Sequence, residues 1–317
     1  MPPLRLVFLG TGDIALPTFE RLLELPGVEL LGLVTQPDKP VGRKQVLTPP
    51  RLKTLALEAG LEVRQPHSLR KEPTTLEGWG ADLYLVMAYG QILPKMVLDR
   101  PRLACLNLHA SLLPKHRGAS PIQAALLAGD TESGLTVIFM DEGLDTGDIL
   151  LQESLPLAPD ETGSTLHDRL AELAPIALEK ALVAFQEGPP PRRPQENSQA
   201  THLGKLTREH GRLDWTQPAQ VLERQIRAFH PWPGSRTSYQ VQGKPKQLKI
   251  FPPASVEELA TPTPPGTLLV ADRTGLCVAC GQNALRLTQL QPEGKRRMDV
   301  ASFLAGHSLQ SENRLGN

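Results

Sequence analysis

The feature that most constrains this chain is an alternation. Over roughly its first half, the apolar runs RLVFLG, VELLGLVT, ADLYLVM, LACLNLHA and GLTVIFM take turns with ALPTFERLLEL, RLKTLALEAG and PIQAALLAG, whose apolar residues recur at helical spacing. Runs this apolar suit strands buried on both faces, and strands that alternate with helices imply a mostly parallel sheet with helices packed on either side. The first half therefore reads as a doubly wound α/β domain. Its last helix is predicted to start at Ser164 or Thr165, either of which can cap it, with Leu166, Leu170, Leu173, Ala177 and Ala181 on one stripe. The pattern then breaks at GPPPRRPQENSQATH, residues 188–202, whose prolines remove backbone donors and which has no apolar anchors, so it reads as a linker. Beyond it one helix, PAQVLERQIRAF, precedes the short β-like runs SRTSYQV, KQLKIF, GTLLVA, GLCVAC and ALRLTQL, which predict a small barrel or sandwich. At 317 residues the chain is long enough for two cores, placed at 1–188 and 205–317 with the linker at 189–204.

Composition narrows the setting. Three cysteines are too few for a disulfide framework in a chain of this size, which points to a reducing compartment and so to the cytoplasm. The apolar run before Gly10 is too short for a signal peptide core, and no stretch approaches the ~20 apolar residues of a membrane span. Formal net charge is zero but unevenly spread: residues 205–249 hold 9 basic against 3 acidic groups. A local excess of this kind suits a polyanionic partner, and equally a solvated face.

Chemistry concentrates in CLNLHASLLPKHRG, residues 105–118. Side chains alternate along a strand, so Asn107 and His109 share one face, about 7 Å apart, opposite Leu106 and Leu108. They lie at the carboxyl end of the strand, where doubly wound sheets bind their ligands. The next strand runs into DEGLDTGDI, whose Asp141, Glu142, Asp145 and Asp148 each offer a carboxylate to orient His109 and accept a proton; the pattern does not choose among them. The spacing of this loop fails the calcium-binding template, so no metal is expected. Gly10 to Ala15, GTGDIA, fits a dinucleotide-binding fingerprint and would admit a nicotinamide-dependent oxidoreductase, but the second strand ends in Thr35 and Gln36 where that motif wants an acid. A tight strand-to-helix turn is the plainer reading. Cys277 and Cys280 have no second pair with which to hold zinc and read as strand residues. Lys115, His116 and Arg117 crowd the loop after His109, either solvated or facing a ligand anion, and residues 36–50 form a long proline-bounded loop of the kind that usually serves a function.

NLHASLLPKHRGASPIQ, GLDTGDIL, MAYGQILPK, GRLDW, IRAFHPWPG and LQPEGKRRM, in this order, resemble the methionyl-tRNA formyltransferases among the 10-formyltetrahydrofolate-dependent formyltransferases, from Gly10 to the FLAG at 303–306. The resemblance implies a Rossmann-like formyltransferase domain followed by an oligonucleotide-binding-like (OB-like) β-barrel. It places the family's catalytic Asn, His and Asp on Asn107, His109 and Asp145. Its folate site falls on Ser111, Leu112, Leu113 and Pro114 and on the backbone of Tyr89, Gly90, Gln91 and Ile92. Its acceptor-stem loop falls on 36–50, with Arg43 and Lys44, while Lys205, Arg208, Arg212, Arg224 and Arg227 are placed against tRNA phosphates. Where many relatives read P-x-G-R-G-K-K this chain has PVGRKQV, and position 116, often aromatic, is His116. The implied reaction moves the formyl group of 10-formyltetrahydrofolate, as co-substrate, to the α-amino group of methionine on initiator tRNA, with no metal or redox cofactor and from a monomer. A sugar nucleotide or other small amine is the rival acceptor, and the charge of 205–249 together with the 36–50 loop separates the two readings.

Overall fold

The computed structural model describes every residue except Met1, Arg43, Ser308, Gln310, Ser311, Glu312 and Asn317. Two compact units emerge from its internal contacts. The first comprises residues 1–121, 132–156 and 167–204, and the second 122–131, 157–166 and 205–317.

The chain lays down β1 (Leu4–Gly10), α1 (Leu16–Glu24), β2 (Val28–Val34), β3 (Lys39–Val41), β4 (Val46–Thr48), α2 (Arg51–Glu58), β5 (Glu62–Arg64), β6 (Leu83–Met87), α3 (Lys95–Leu98), β7 (Ala104–His109), α4 (Pro121–Ala128), β8 (Glu132–Phe139), β9 (Ile149–Pro156) and α5 (Gly163–Gln186). Seven strands form one sheet in the order β5-β2-β1-β6-β7-β8-β9. The strands from β5 to β7 are parallel, as the apolar runs predict, but β8 is antiparallel to β7 and β9 to β8. Register explains this: His109 pairs with Thr136, so β8 begins beyond the carboxyl end of β7 and runs back along it. The connection from β7 to β8 leaves and rejoins the sheet at the same end, whereas a parallel strand would require a crossover.

Register also sorts the faces. Val7 pairs with Tyr84 and Tyr84 with Cys105, while Leu9 pairs with Val86 and Val86 with Asn107. Val7, Leu9, Tyr84, Val86 and Cys105 pack on this face with Leu69, Trp79, Leu93 and Val97. Asn107 stands one pleat farther along the same face. The alternate positions Leu6, Phe8, Leu85, Leu106 and Leu108 are buried on the other side, where Phe19 of α1 meets Phe8 edge-on at 5.4 Å. The glycine turn after β1 serves packing, since a Cβ at Gly10 would lie 2.5 Å from the Phe8 ring and 3.1 Å from the Met87 carbonyl. Helix α5 buries Leu166, Leu170, Ala174, Ala177, Leu178 and Ala181, so Leu173 stands beside the stripe rather than on it. Its first turn is closed by Thr162, two to three residues earlier than predicted, whose hydroxyl accepts the Thr165 N–H while Thr165 Oγ1 accepts the Thr162 N–H.

The second unit carries α6 (Ala219–Ala228), β10 (Ser235–Val241), β11 (Lys244–Glu257), β12 (Leu268–Asp272), β13 (Gly275–Ala279), β14 (Ala284–Pro292), β15 (Met298–Asp299) and α7 (Val300–Gly306). Its sheet is antiparallel in the order β10-β11-β14-β13-β12, with β15 added to β14. The long strand β11 pairs with β10 over Lys244–Ile250 and with β14 over Leu248–Glu257, and an irregularity between Phe251 and Ala254 interrupts the second pairing. Leu222 and Ile226 of α6 and Phe303 of α7 close the core on Leu248, Ile250, Leu276, Leu285 and Leu290. Cys277 is buried in β13 as expected and Cys280 just past the strand's end, and burial pushes their thiols up to about 11 and about 12, keeping them protonated at neutral pH. No helix among the described residues is long and apolar enough to cross a membrane.

Candidate active site

Strand β7 presents Asn107 and His109 on one face, as the alternation predicts, and a carboxylate meets them there. Asp145 Oδ1 lies 3.5 Å from Asn107 Nδ2 and 3.5 Å from His109 Nδ1. Its other oxygen accepts the Gly118 N–H at 2.8 Å. The carboxylate arrives in a different way from the one expected. Because β8 is antiparallel, Asp145 sits in the hairpin loop 140–148 between β8 and β9, which folds back over the face of β7.

This loop is tightly specified. Asp141 Oδ1 accepts from Thr146 Oγ1 at 2.7 Å and from the Gly143 N–H at 3.0 Å, so Asp141 builds the turn rather than facing β7. A Cβ at Gly147 would lie 1.7 Å from the Phe139 carbonyl, which leaves no room for any side chain. Of the four acidic residues, Asp145 is the one whose carboxylate reaches the Asn/His pair; Glu142 is exposed. Asp145 itself holds φ +56°, and Ala88 and His116 in neighbouring loops hold +48° and +60°. Left-handed backbone at residues carrying a Cβ persists where the surroundings over-determine it, commonly at functional sites.

Hydrogen bonding fixes the tautomer of His109. Its Nε2 lies 3.0 Å from the His116 carbonyl, which only accepts, so Nε2 carries a hydrogen. Nδ1 is the edge turned toward Asp145 and is the one available to a ligand. Donation from Nδ1 therefore requires the doubly protonated ring, with Asp145 as its counter-charge. His109 is buried, at 6% exposure, and the Asp145 side chain nearly so, at 13%, which strengthens their mutual interaction.

The loop predicted to meet a folate is rigidly built. Thr136 Oγ1 donates to the Ser111 carbonyl at 2.6 Å and accepts the Leu113 N–H at 3.0 Å, while Gln152 Nε2 donates to the Leu113 carbonyl at 2.9 Å and Ser111 Oγ to the Lys115 carbonyl at 2.8 Å. Ser111 and Leu113 are buried; Leu112 and Pro114 are half-exposed. On the adjacent strand end the Tyr89 carbonyl is already taken, accepting from Gln36 Nε2 at 2.8 Å and Thr11 Oγ1 at 3.2 Å, and its ring lies in the core. The Gln91 side chain is engaged with Leu69 and Pro66. Gly90 is exposed, and the Ile92 side chain, at 81% exposure, stands free.

The candidate tRNA contacts divide into two groups. Residues 39–48 form a hairpin of β3 and β4 rather than a loop, with Lys44 exposed in its turn and Val41, Val46 and Leu47 exposed on its strands; Arg43 lies outside the described residues. Lys205, Arg208 and Arg212 are exposed. Arg224 and Arg227 are turned inward: Arg224 donates to the Ala128 carbonyl, and Arg227 pairs with Glu223 and donates to the Glu161 carbonyl at 2.8 Å. The Arg227 guanidinium, neutralised by Glu223 at i,i+4 spacing, has little left for a phosphate, whereas Arg224 meets a carbonyl and keeps its charge. His116 and Arg117 also differ from expectation, being 6% and 4% exposed and bonded to residues 195–203, so that only Lys115 of that trio faces solvent.

Those bonds to residues 195–203 expose what the sequence reading missed. The segment read as a linker lies along the first unit, with Arg192 stacked 3.8 Å over Phe139, Arg193 bridged to Ile149 through both backbone bonds, and Gln195, Asn197 and Thr201 bonded to the two loops around the Asn/His/Asp group. Nothing in a proline-rich polar stretch signals such partners.

Comparison with known proteins agrees with this architecture. The family model described as formyl transferase matches residues 4–182, and that of the formyl transferase C-terminal domain matches 205–308. The methionyl-tRNA formyltransferase of Akkermansia muciniphila is 47% identical over 307 residues, covering 96% of this chain and 97% of that protein. Those of Pseudomonas paraeruginosa and Geobacter sulfurreducens are 48% and 41% identical over 95% and 100% of this chain and 95% and 98% of theirs. Among solved structures, the N-formyltransferase from Helicobacter canadensis in complex with folinic acid and dTDP-3-aminofucose matches with a TM-score of 0.62 at 16% identity, over 90% of this chain and 99% of that one. HypX from Aquifex aeolicus in complex with tetrahydrofolic acid matches with a TM-score of 0.61 at 19% identity, over 95% of this chain, which spans 46% of that one. Both structural likenesses are likenesses of fold. The sequence matches, spread over both halves of the chain, go further: this chain belongs to the formyl transferase family.

Proposed function

We propose that this chain transfers the formyl group of 10-formyltetrahydrofolate to the α-amino group of methionine esterified to initiator tRNA, as a monomer in the cytoplasm. The name shared by relatives 40–48% identical to it supports the acceptor. The observation that carries the chemistry is the approach of Asp145 Oδ1 to both Asn107 Nδ2 and His109 Nδ1, 3.5 Å each. These separations are long for hydrogen bonds, as contacts in active sites without substrate often are, and they leave both donors free to turn to a substrate oxygen.

In the reaction the amine nitrogen attacks the formyl carbon, its bond to N10 of the folate breaks, and negative charge develops on the formyl oxygen between the two events. Asn107 donates an amide N–H and His109 its Nδ1–H to that oxygen. Asp145 holds the imidazolium, then accepts the proton shed by the amine, which passes on to the leaving N10. Residues 1–188 form the catalytic domain and 189–204 the linker. The folate lies on Ser111 to Pro114 and on the backbone of Gly90 to Ile92. Residues 205–317 act as an OB-like tRNA-binding domain through Lys205, Arg208 and Arg212, with the β3–β4 hairpin and its Arg43 and Lys44 toward the acceptor end.

Transfer of radiolabel from 10-formyltetrahydrofolate to methionyl initiator tRNA tests the reading against transfer to a free amino sugar. Label on the tRNA is expected, and label on the sugar alone overturns the acceptor. Alanine in place of Lys205, Arg208 or Arg212 is expected to reduce the slope of log affinity against log salt by about 0.7 to 0.9 for each phosphate left without its cation. Arg227→Ala, by contrast, is expected to lower the melting temperature and leave that slope unchanged.

A further inference from the structure

We propose that Gln195 is a positioning residue for formyl transfer: from the segment after the last helix of the first unit, it holds the Asp145 loop in the one conformation that presents its carboxylate to Asn107 and His109. The proposal deepens the function proposed above and rests on it.

All four hydrogen-bonding positions of the Gln195 carboxamide are filled. Nε2 donates to the Asp145 carbonyl at 2.8 Å and to the Gly147 carbonyl at 2.8 Å. Oε1 accepts from Arg117 Nε at 3.1 Å and Nη2 at 2.7 Å. The opposite orientation would set the NH2 against a guanidinium and the oxygen against two carbonyls, so the donors can face only the loop. Gln195 thus grips the backbone of Asp145 itself, at a residue whose φ of +56° is disfavoured for any side chain bearing a Cβ. Such a backbone holds its shape only while its neighbours enforce it.

The grip is itself anchored. Arg117, 4% exposed, also donates to Asn197 Oδ1 at 2.8 Å, and its backbone bonds the Thr201 carbonyl and the Leu203 N–H. Gly118, the next residue, gives its N–H to the Asp145 carboxylate. Gln195 and Arg117 therefore fix Asp145 from both ends, Gln195 through the main chain and the 117–118 peptide through the side chain. A carboxylate already 3.5 Å from His109 loses its hold on the ring if it drifts by about 1 Å, a misplacement that costs rate.

Two substitutions separate positioning from mere fastening. Gln195→Glu keeps an acceptor for Arg117, now charged, and so keeps the segment attached, but it loses both donors to the loop and turns a carboxylate on the carbonyls of Asp145 and Gly147. Gln195→Ala loses both functions. Both variants are expected to lower kcat for methionyl-tRNA by about 10- to 100-fold with KM for folate and tRNA changed less than about threefold. Gln195→Glu is expected to melt within a few degrees of the parent, and Ser198→Ala, whose hydroxyl donates to Glu196, to turn over normally. Normal kcat in Gln195→Glu would show that the residue only fastens the segment and would overturn the proposal; a matching rise in KM would do the same. A parent enzyme that transfers no formyl group to methionyl-tRNA would instead sink the function on which the proposal rests.

Discussion

Replacing Asn107 or His109 by alanine is expected to lower kcat by about 10²- to 10³-fold each while leaving affinity for tRNA nearly intact. The reason is the timing of charge. The formyl oxygen is a weak acceptor in bound 10-formyltetrahydrofolate and a strong one once the amine has added, so donors fixed beforehand on a strand act on the transition state more than on the ground state. Asn107 and His109 meet that requirement because β7 and the loops packed on it leave little freedom: His109 is held at Nε2 by the His116 carbonyl, and both residues face Asp145. If both donors act on one oxygen, their effects are not independent, and the double variant should lose much less than the product of the two single losses. Single-turnover transfer with saturating folate, alongside filter binding of the tRNA, checks both statements. A large loss of affinity with normal turnover would contradict the assigned roles, since it would place the two residues in acceptor binding instead.

How much of this was legible in the sequence depends on what each inference needed. Strands β1, β2, β6, β7 and β8 announce themselves as apolar runs, and the shared face of Asn107 and His109 follows from strand alternation alone. The direction of β8 does not follow, because a strand buried on both faces reads the same whichever way it runs; only the pairing of His109 with Thr136 reveals it. The same limit hid the path of Asp145, which reaches β7 from a hairpin rather than from a parallel neighbour. Residue choice within that loop was open to pattern and is decided by hydrogen bonding, Asp141 serving the turn and Asp145 the face of β7. Cations posed the mirror problem. Arg227 and Arg212 are alike in a charge count, yet one is paired with Glu223 and the other exposed. The segment around Gln195 failed hardest, since its anchoring is polar and long-range, and neither periodicity nor composition records such partners.

Asp145→Asn is expected to cost more than either donor, about 10²- to 10⁴-fold in kcat, at little cost to folding. The substitution preserves shape, so the Gly118 N–H retains an acceptor if the new side chain turns its oxygen to it, at the position now 2.8 Å away. That choice turns the new NH2 toward Asn107 Nδ2 and His109 Nδ1, where the carboxylate now stands 3.5 Å from both. An amide N–H facing Nδ1 can be satisfied only if Nδ1 accepts, and because Nε2 must keep its hydrogen for the His116 carbonyl, the ring is forced neutral. The imidazole then offers no proton to the formyl oxygen, and no carboxylate remains to receive one from the amine. Two steps fail through one change in the direction of a hydrogen bond. Nitrogen-detected magnetic resonance of His109 in the variant is expected to show a ring that carries hydrogen at Nε2 and accepts at Nδ1. Parent-like turnover in a folded Asp145→Asn enzyme would mean that the carboxylate orients nothing the reaction needs, and the site would have to be read without it.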